Sequence, residues 1–280
     1  MDYSTPDGTK VLVATPNYMN LFNAEVHTSH VACAMAWTEW GIDFTWSIIG
    51  RSFVHFARSQ MCLAAVEGEF THILWLDDDA VIDPEVLPRF LTHDKDVMIA
   101  PYALRKMPHE IGVLQSQTGD FHDHPSYRNL SLKDMDQGLI QVDGGGTHCM
   151  LMKVDTLHKQ GKPIGEMGLD KDLSSFVEED LSGHAYFIMP KAGTEDMYWC
   201  YRAKLKGIEI WCDTDSWADH VGFAPVINKE YRQYVEDNDV EIAIDDDADA
   251  TKEVAKMAII PGSRGLRQPT EIRTGEANLI

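Results

Sequence analysis

The sequence predicts an α/β protein built on a mostly parallel sheet flanked by helices. Three observations carry this. Short apolar runs alternate with helical stretches in the order β-α-β-α-β-α-β between residues 10 and 101. That alternation implies right-handed crossovers between parallel strands. One of the apolar runs, Ile73 to Leu76, ends in three consecutive carboxylates, Asp77, Asp78 and Asp79. Ligands of open α/β sheets bind outside the carboxyl ends of strands, which is where this triplet falls. Finally, 280 residues suffice for one large domain or two small ones.

Taken in order, Lys10 to Thr15 is a short apolar strand stopped by Pro16-Asn17. From about Asn23 to Trp40, apolar residues Val26, Cys33, Ala34 and Trp37 recur at helical spacing, and Gly41 follows where a helix-ending glycine belongs. Asp43 to Ile49 is aromatic and β-branched and reads as a strand. Ser52 to Glu67 is a second helix, closed by Gly68. Within it, Arg58 offers a guanidinium fork suited to phosphate, although a lone arginine on a helix is ordinarily a surface residue. The aspartate strand follows, then a short helix from Glu85 to Thr92 with Pro84 at its entry, then a strand from Asp96 to Ala100. Three like charges at a strand end call for a positive partner, since unpaired carboxylates are costly to desolvate. Oxygen ligands at this density suit Mg²⁺ or Mn²⁺, whereas the same run in a solvated turn would need no ion.

Periodicity fades from Leu104 to Gln137, a segment carrying Arg105, Lys106, His109, His122, His124 and Arg128. A long irregular stretch of this kind reads as a binding or lid segment, and Asp120 to His124 as loop composition resembling metal ligands. Gly144-Gly145-Gly146 reads as a sharp turn that lets backbone approach a ligand, feeding a strand from Cys149 to Val154. It lacks the spacing of a phosphate loop or a dinucleotide fingerprint. Phe187 to Pro190 reads as a short strand or lead-in. Thr194 is then a candidate N-cap, with Glu195 and Asp196 in the positive first turn of a helix running to Leu205. A carboxylate held at a helix start beside a cleft also makes a general base. Ile208 to Asp213 is a strand, and His220 follows it as a candidate imidazole ligand. Beyond Asn228, Tyr231 to Val235 extends as a helix. Asp245-Asp246-Asp247 is a solvated acidic run, and residues 262–280 form a tail.

A formal net charge of −21 argues against broad non-specific nucleic-acid binding. No stretch approaches the roughly eighteen apolar residues of a membrane span, and the N-terminus has no apolar signal core. The five cysteines form no CxxC pair and read as buried thiols, which suggests a reducing, cytoplasmic setting.

Four stretches together resemble the nucleotide-sugar-dependent glycosyltransferases of the GT-A fold, family 2-like, in the compact form found in phage genomes. They are the opening VLVATP strand, the helix with ARSQ, the ILWLDDD strand, and the GTEDMYWCYRAKLKGIEIWCDTDSWADH segment. The resemblance spans roughly residues 10–223. Ser59 stands where the family's helix motif has Asn. The resemblance implies a GT-A (Rossmann-like) mixed sheet in a single domain, residues 1–227, with a C-terminal extension over 228–280. The donor half would cover about 10–103 and the acceptor half about 104–227. It implies transfer of a sugar from a nucleotide diphosphate-sugar, a UDP-sugar by preference, with inversion, in the presence of Mn²⁺ or Mg²⁺. It further implies Asp77, Asp79 and His220 at the metal, and Thr15, Pro16, Arg58, Asp77, Asp78, Gly145 and Gly146 around the donor. Asp196 would be the base, with Glu195 capping its helix or shaping the acceptor site. The acceptor stays open: a hydroxyl-bearing modified base in phage DNA, a glycan, a lipid or a protein. A DNA acceptor would need a local basic track from Arg105, Lys106, Arg128, Arg264, Arg267 and Arg273.

Two other functions compete. A nucleotidyltransferase would use the same carboxylates, but it usually carries a Gly-rich basic loop after the first strand, and Pro16-Asn17-Tyr18-Met19-Asn20 has neither Gly nor Lys. A non-catalytic sugar- or nucleotide-binding module would use the seven tryptophans without needing the acids.

Overall fold

A computed structural model of the chain describes residues 5–106, 108–117, 127–160, 186–190, 193–222 and 228–237. The Asp120 to His124 run, Asp245 to Asp247 and the three tail arginines lie outside these residues.

Strand β1 (Val11–Asn17) enters helix α1 (Ala24–Glu39), and β2 (Phe44–Gly50) enters α2 (Val54–Glu67). Next come β3 (His72–Leu76), the two-residue β4 (Ala80–Val81), α3 (Val86–His93) and β5 (Val97–Ile99). Then β6 (Val113–Ser116), β7 (Tyr127–Asn129), β8 (Leu139–Val142), β9 (Gly144–Gly145) and β10 (Cys149–Lys153) follow. The described chain closes with α4 (Asp155–Gln160), α5 (Glu195–Leu205), β11 (Ile210–Asp213), β12 (Asp219–His220) and α6 (Lys229–Asp237). No helix among the described residues is long and apolar enough to cross a membrane.

The central sheet has seven strands in the order β2-β1-β3-β10-β5-β11-β8. Five run the same way, while β10 and β8 run opposite to their neighbours. This is the mixed, mostly parallel α/β sheet expected from the sequence. Alternate side chains of each central strand serve two cores, as the strand period of two requires. Ile73 and Trp75 of β3, with Leu12, Ala14, Met150 and Met152, pack against Met61 and Cys62 of α2 and Trp199 of α5. Leu74 and Leu76, with Val11, Val13 and Leu151, pack on the other face against Cys33 and Trp37 of α1 and Phe90 of α3. Burial on both faces explains why these strands read as continuous apolar runs. Trp75 is fully buried, so truncating it to Ala would cost about 3–5 kcal/mol.

The expected strand from Cys149 forms as Cys149–Lys153, antiparallel and inserted between β3 and β5. Other expectations are corrected. Leu104 to Gln137 is not uniformly irregular. It contributes β6 and β7, and these form a small sheet with β9 in the order β7-β6-β9. These strands are three or four residues long and pair with distant partners, so local periodicity does not announce them. Gly144 and Gly145 are therefore extended sheet residues, not a sharp turn. Phe187 to Pro190 forms no strand.

Candidate functional site

The acidic triplet leaves β3 at its carboxyl end, beside the ends of β1, β5 and β11. Because β10 runs the other way, its start reaches this same edge. The Asp77 N–H donates to the His148 carbonyl over 3.1 Å, which fixes His148 beside the triplet. A second device brings His220. Strands β12 and β4 pair antiparallel, His220 opposite Ala80, and the Val221 N–H donates to the Asp79 carbonyl over 2.8 Å.

Among the described residues, Asp79, His148 and His220 form a group whose ligand atoms all lie within 4.8 Å of one another. Asp79 Oδ1 is 3.3 Å from His148 Nδ1, and Asp79 Oδ2 is 3.3 Å from His220 Nε2. The other nitrogen of each ring faces a backbone carbonyl: His148 Nε2 lies 3.1 Å from the Asp219 oxygen, and His220 Nδ1 lies 2.9 Å from that of Ala103. A carbonyl can only accept, so those nitrogens carry the protons. In a neutral ring the nitrogens facing Asp79 then present lone pairs. Both rings are held neutral. Burial, with the neighbouring His148, depresses the His220 imidazole to about 3. Burial likewise lowers His148. Two lone pairs and a carboxylate that share no hydrogen among themselves form a group that could hold a cation, and backbone-anchored imidazoles are the usual support of one.

The cation now nearest is a side chain. Arg105 touches Asp79 Oδ2 through Nη2, and its Nε–H donates to His220 Nε2 over 2.8 Å. The same N/O donor set serves Mn²⁺, Zn²⁺ or Fe²⁺, and its two imidazoles suit Mg²⁺ poorly.

Arg58 is a buried residue, not a surface one. Its Nη2 binds Asp77 Oδ1 at 2.9 Å and its Nε binds Glu195 Oε1 at 3.1 Å, over the ring of Trp75. The phosphate-binding fork expected from the sequence is thus largely taken by two carboxylates, and only Nη1 has no hydrogen-bond partner. Asp77 faces this arginine and is not among the residues of the Asp79 group. Asp78 is half-buried. Burial and then the Asp77 charge push its carboxyl up to about 6. Glu195 does not cap α5, because its side chain turns inward to Arg58. Burial raises its carboxyl above the ordinary range, an effect Arg58 only partly offsets.

At the start of α5, Thr194 makes no cap to backbone. Its hydroxyl contacts Asp196 Oδ1, which also accepts the Met197 N–H at 2.7 Å. Asp196 Oδ2 lies on the side of Gly146. A Cβ at Gly146 would overlap the Tyr102 hydroxyl and come within 3.2 Å of that oxygen. Glycine is required there by close approach, not by a turn. Tyr102 in turn packs against both imidazoles, with ring centroids 4.6 Å from His148 and 5.7 Å from His220. Asp196 is therefore linked to the Asp79 group through Gly146 and Tyr102. Gly145 is buried against the Gly112 carbonyl and Ile99.

Thr15 and Pro16 sit inside the β1 ladder, paired with Ile48 and Ile49, and both are buried. The Thr15 hydroxyl accepts from Trp46 Nε1 at 3.0 Å. The strand runs on to Asn17, so the chain first becomes exposed at Tyr18 and Met19. The Thr15 and Pro16 side chains are thus buried in the sheet and not presented at its carboxyl edge.

The sequence reading missed His148 and Tyr102. In a parallel strand, a residue just before the first position lies at the amino edge, far from the site. Only the reversed direction of β10 moves His148 to the carboxyl edge.

No protein-family model matches the chain, and no curated protein matches it. Among solved structures, A197 from STIV is 14% identical with a TM-score of 0.50, covering 80% of this chain and 92% of its own. This likeness extends to the fold. Lower in TM-score are GalNAc-T7 with UDP, GalNAc and Mn²⁺ (0.41, 9% identity, 78% of this chain and 45% of that one). A glycosyltransferase involved in glycosylation of the major capsid of PBCV-1 has a TM-score of 0.28 at 14% identity, over 53% and 62% of the two chains.

Proposed function

We propose that this chain is a metal-dependent glycosyltransferase that moves a sugar from a nucleotide diphosphate-sugar, a UDP-sugar by preference, to an acceptor hydroxyl. The observation that carries the reading is the Asp79, His148 and His220 group at the carboxyl edge of a GT-A sheet, its imidazoles oriented by the Asp219 and Ala103 carbonyls. Asp79, His148 and His220 would hold the ion, Mn²⁺ in preference to Mg²⁺. When bound it would supply Lewis-acid charge to a departing diphosphate.

The remaining roles belong to the chain's own groups. Arg58 clamps Asp77 to Glu195, so the floor of the site is rigid before any ligand arrives. Asp77, turned from the ion by this clamp, and half-buried Asp78 are left to face the donor's nucleoside side. Gly145 and Gly146 are packed against Ile99, Tyr102 and Asp196, so their part is to let Tyr102 approach α5 closely and not to hold the sugar themselves. Asp196, with Oδ1 held by the Met197 N–H, offers Oδ2 as acceptor for the proton of the attacking hydroxyl. Attack from that side, opposite the leaving diphosphate, inverts the anomeric centre.

The test is UDP release from an array of UDP-sugars with Mn²⁺. The wild-type chain is expected to release UDP only with metal, and Asp79→Ala to lose about 100-fold or more of that rate. Undiminished release by Asp79→Ala would overturn the proposal.

A further inference from the structure

Beside Asp196 lies a cavity of about 300 Å³ that the proposed chemistry does not use. One wall is a single face of α5 and its lead-in: Thr194, Met197, Tyr198 and Tyr201, at the three- and four-residue spacing of helical neighbours. The opposite wall is Leu114 of β6 and Tyr127 of β7. None of the described lining residues carries a charge. Tyr198 and Tyr201 stack on one another with centroids 6.3 Å apart, and the Arg202 guanidinium lies 5.9 Å over the Tyr198 ring, bracing it from beyond the lining. Thr194, one of the lining residues, touches the Asp196 carboxylate with its hydroxyl. Asp196 Oδ2 faces Gly146, which packs on Tyr102 and so leads to the Asp79 group. Asp196 thus contacts the cavity through Thr194 and the Asp79 group through Gly146 and Tyr102.

We propose that this cavity is the acceptor subsite and that it takes a neutral pyranose, the end of an uncharged glycan. The inference rests on the transferase reading above and deepens it. The occupant must present a hydroxyl to Asp196, a flat apolar face to the tyrosine rings, and no charge. A pyranose does all three. Its axial C–H face is weakly positive and meets the negative face of a phenol ring, and its rim hydroxyls meet the Thr194 and tyrosine hydroxyls. A phosphodiester backbone would find no counter-charge in this lining and would approach a chain of net charge −21. A fatty chain would bury the hydroxyls without hydrogen bonds. The modified-DNA acceptor is therefore the outcome disfavoured here.

The experiment uses the full chain and methyl glycosides of neutral hexoses, which carry neither aromatic nor lipid aglycone. Saturation-transfer NMR reads their binding without donor, and product formation with UDP-sugar and Mn²⁺ reads transfer. At least one methyl glycoside is expected to bind and to be glycosylated. Tyr198→Ala should raise its KM by about tenfold, the loss of one ring contact, with the donor KM as internal reference. Tyr198→Phe, which keeps the ring and loses one hydroxyl contact, should recover most of the loss, and Tyr201→Ala gives the same reading as Tyr198→Ala if the latter does not fold. Transfer to hydroxymethylated duplex DNA or to peptide, with no glycoside bound, would overturn the acceptor assignment and leave the transferase reading standing. Glycoside binding without UDP release from any donor would overturn the transferase reading and, with it, the assignment of the cavity as an acceptor subsite.

Discussion

Two carboxylate clusters leave the same edge of the sheet, one after β3 and one after β11, and their surroundings differ. Asp213, at the end of β11, is fully buried. Its oxygens take Arg89 Nε at 3.1 Å, Arg89 Nη2 at 3.0 Å, the Ser216 hydroxyl at 2.7 Å and the Asp215 N–H at 3.1 Å. Each of these four contacts brings a hydrogen, and the His93 imidazole lies farther off, 3.6 Å from Oδ2. Asp79, after β3, is partly exposed and faces two imidazole nitrogens that bring lone pairs instead. Arg105 supplies its positive charge from a side chain that is 47% exposed. A carboxylate saturated by donors is a structural joint, whereas one facing two imidazole lone pairs belongs to a group that could hold a cation. Sequence shows acids at both strand ends and cannot tell them apart; the partners do.

The comparison can be broken by stability. Asp213→Asn should cost about 2–3 kcal/mol in urea unfolding, because it leaves a partly exposed guanidinium short of its partner. Asp79→Asn should cost less than about 1 kcal/mol, since it also relieves repulsion within the triplet. Equal costs would erase the distinction. Acid sharpens it. Burial pulls the Asp213 carboxyl upward, but its hydrogen bonds from Ser216 and Arg89 outweigh this and hold it below the ordinary value. Its contribution is therefore complete above the unfolded value of 3.8 and is lost as pH falls through the depressed folded one. The wild-type chain should lose stability in that acid window, and Asp213→Asn should flatten the loss.

A smaller effect is expected at Arg105. If its guanidinium holds the place a cation would take, Arg105→Ala should tighten Mn²⁺ binding by about threefold to tenfold in calorimetry and lower the melting temperature of the metal-free chain. Weaker Mn²⁺ binding in Arg105→Ala would make the arginine a supporter of the site, not a competitor for it.

Much of this was legible in the chain. The alternation of apolar runs and helices up to Pro101 gives the parallel half of the sheet. The position of Asp77 to Asp79 after a buried strand gives the site's edge, and the Thr194-Glu195-Asp196 sequence gives the start of α5. What was not legible depends on strand direction and on long-range pairing. Nothing local states that Cys149–Lys153 runs backwards, so His148 carries no signal of its role. Arg58 and Glu195 are 137 positions apart, and their pairing turned an expected phosphate ligand and an expected cap into a buried clamp. Thr15 was already read as strand, and β1 runs two residues past it, which draws Pro16 into the ladder as well and buries both.

The most direct measurement is pulsed electron paramagnetic resonance of Mn²⁺ bound to the full chain, which counts directly bound nitrogens. The account predicts two imidazole nitrogens in the wild-type protein and one in His148→Gln. Coordination by oxygen alone, or two nitrogens surviving in His148→Gln, would contradict it.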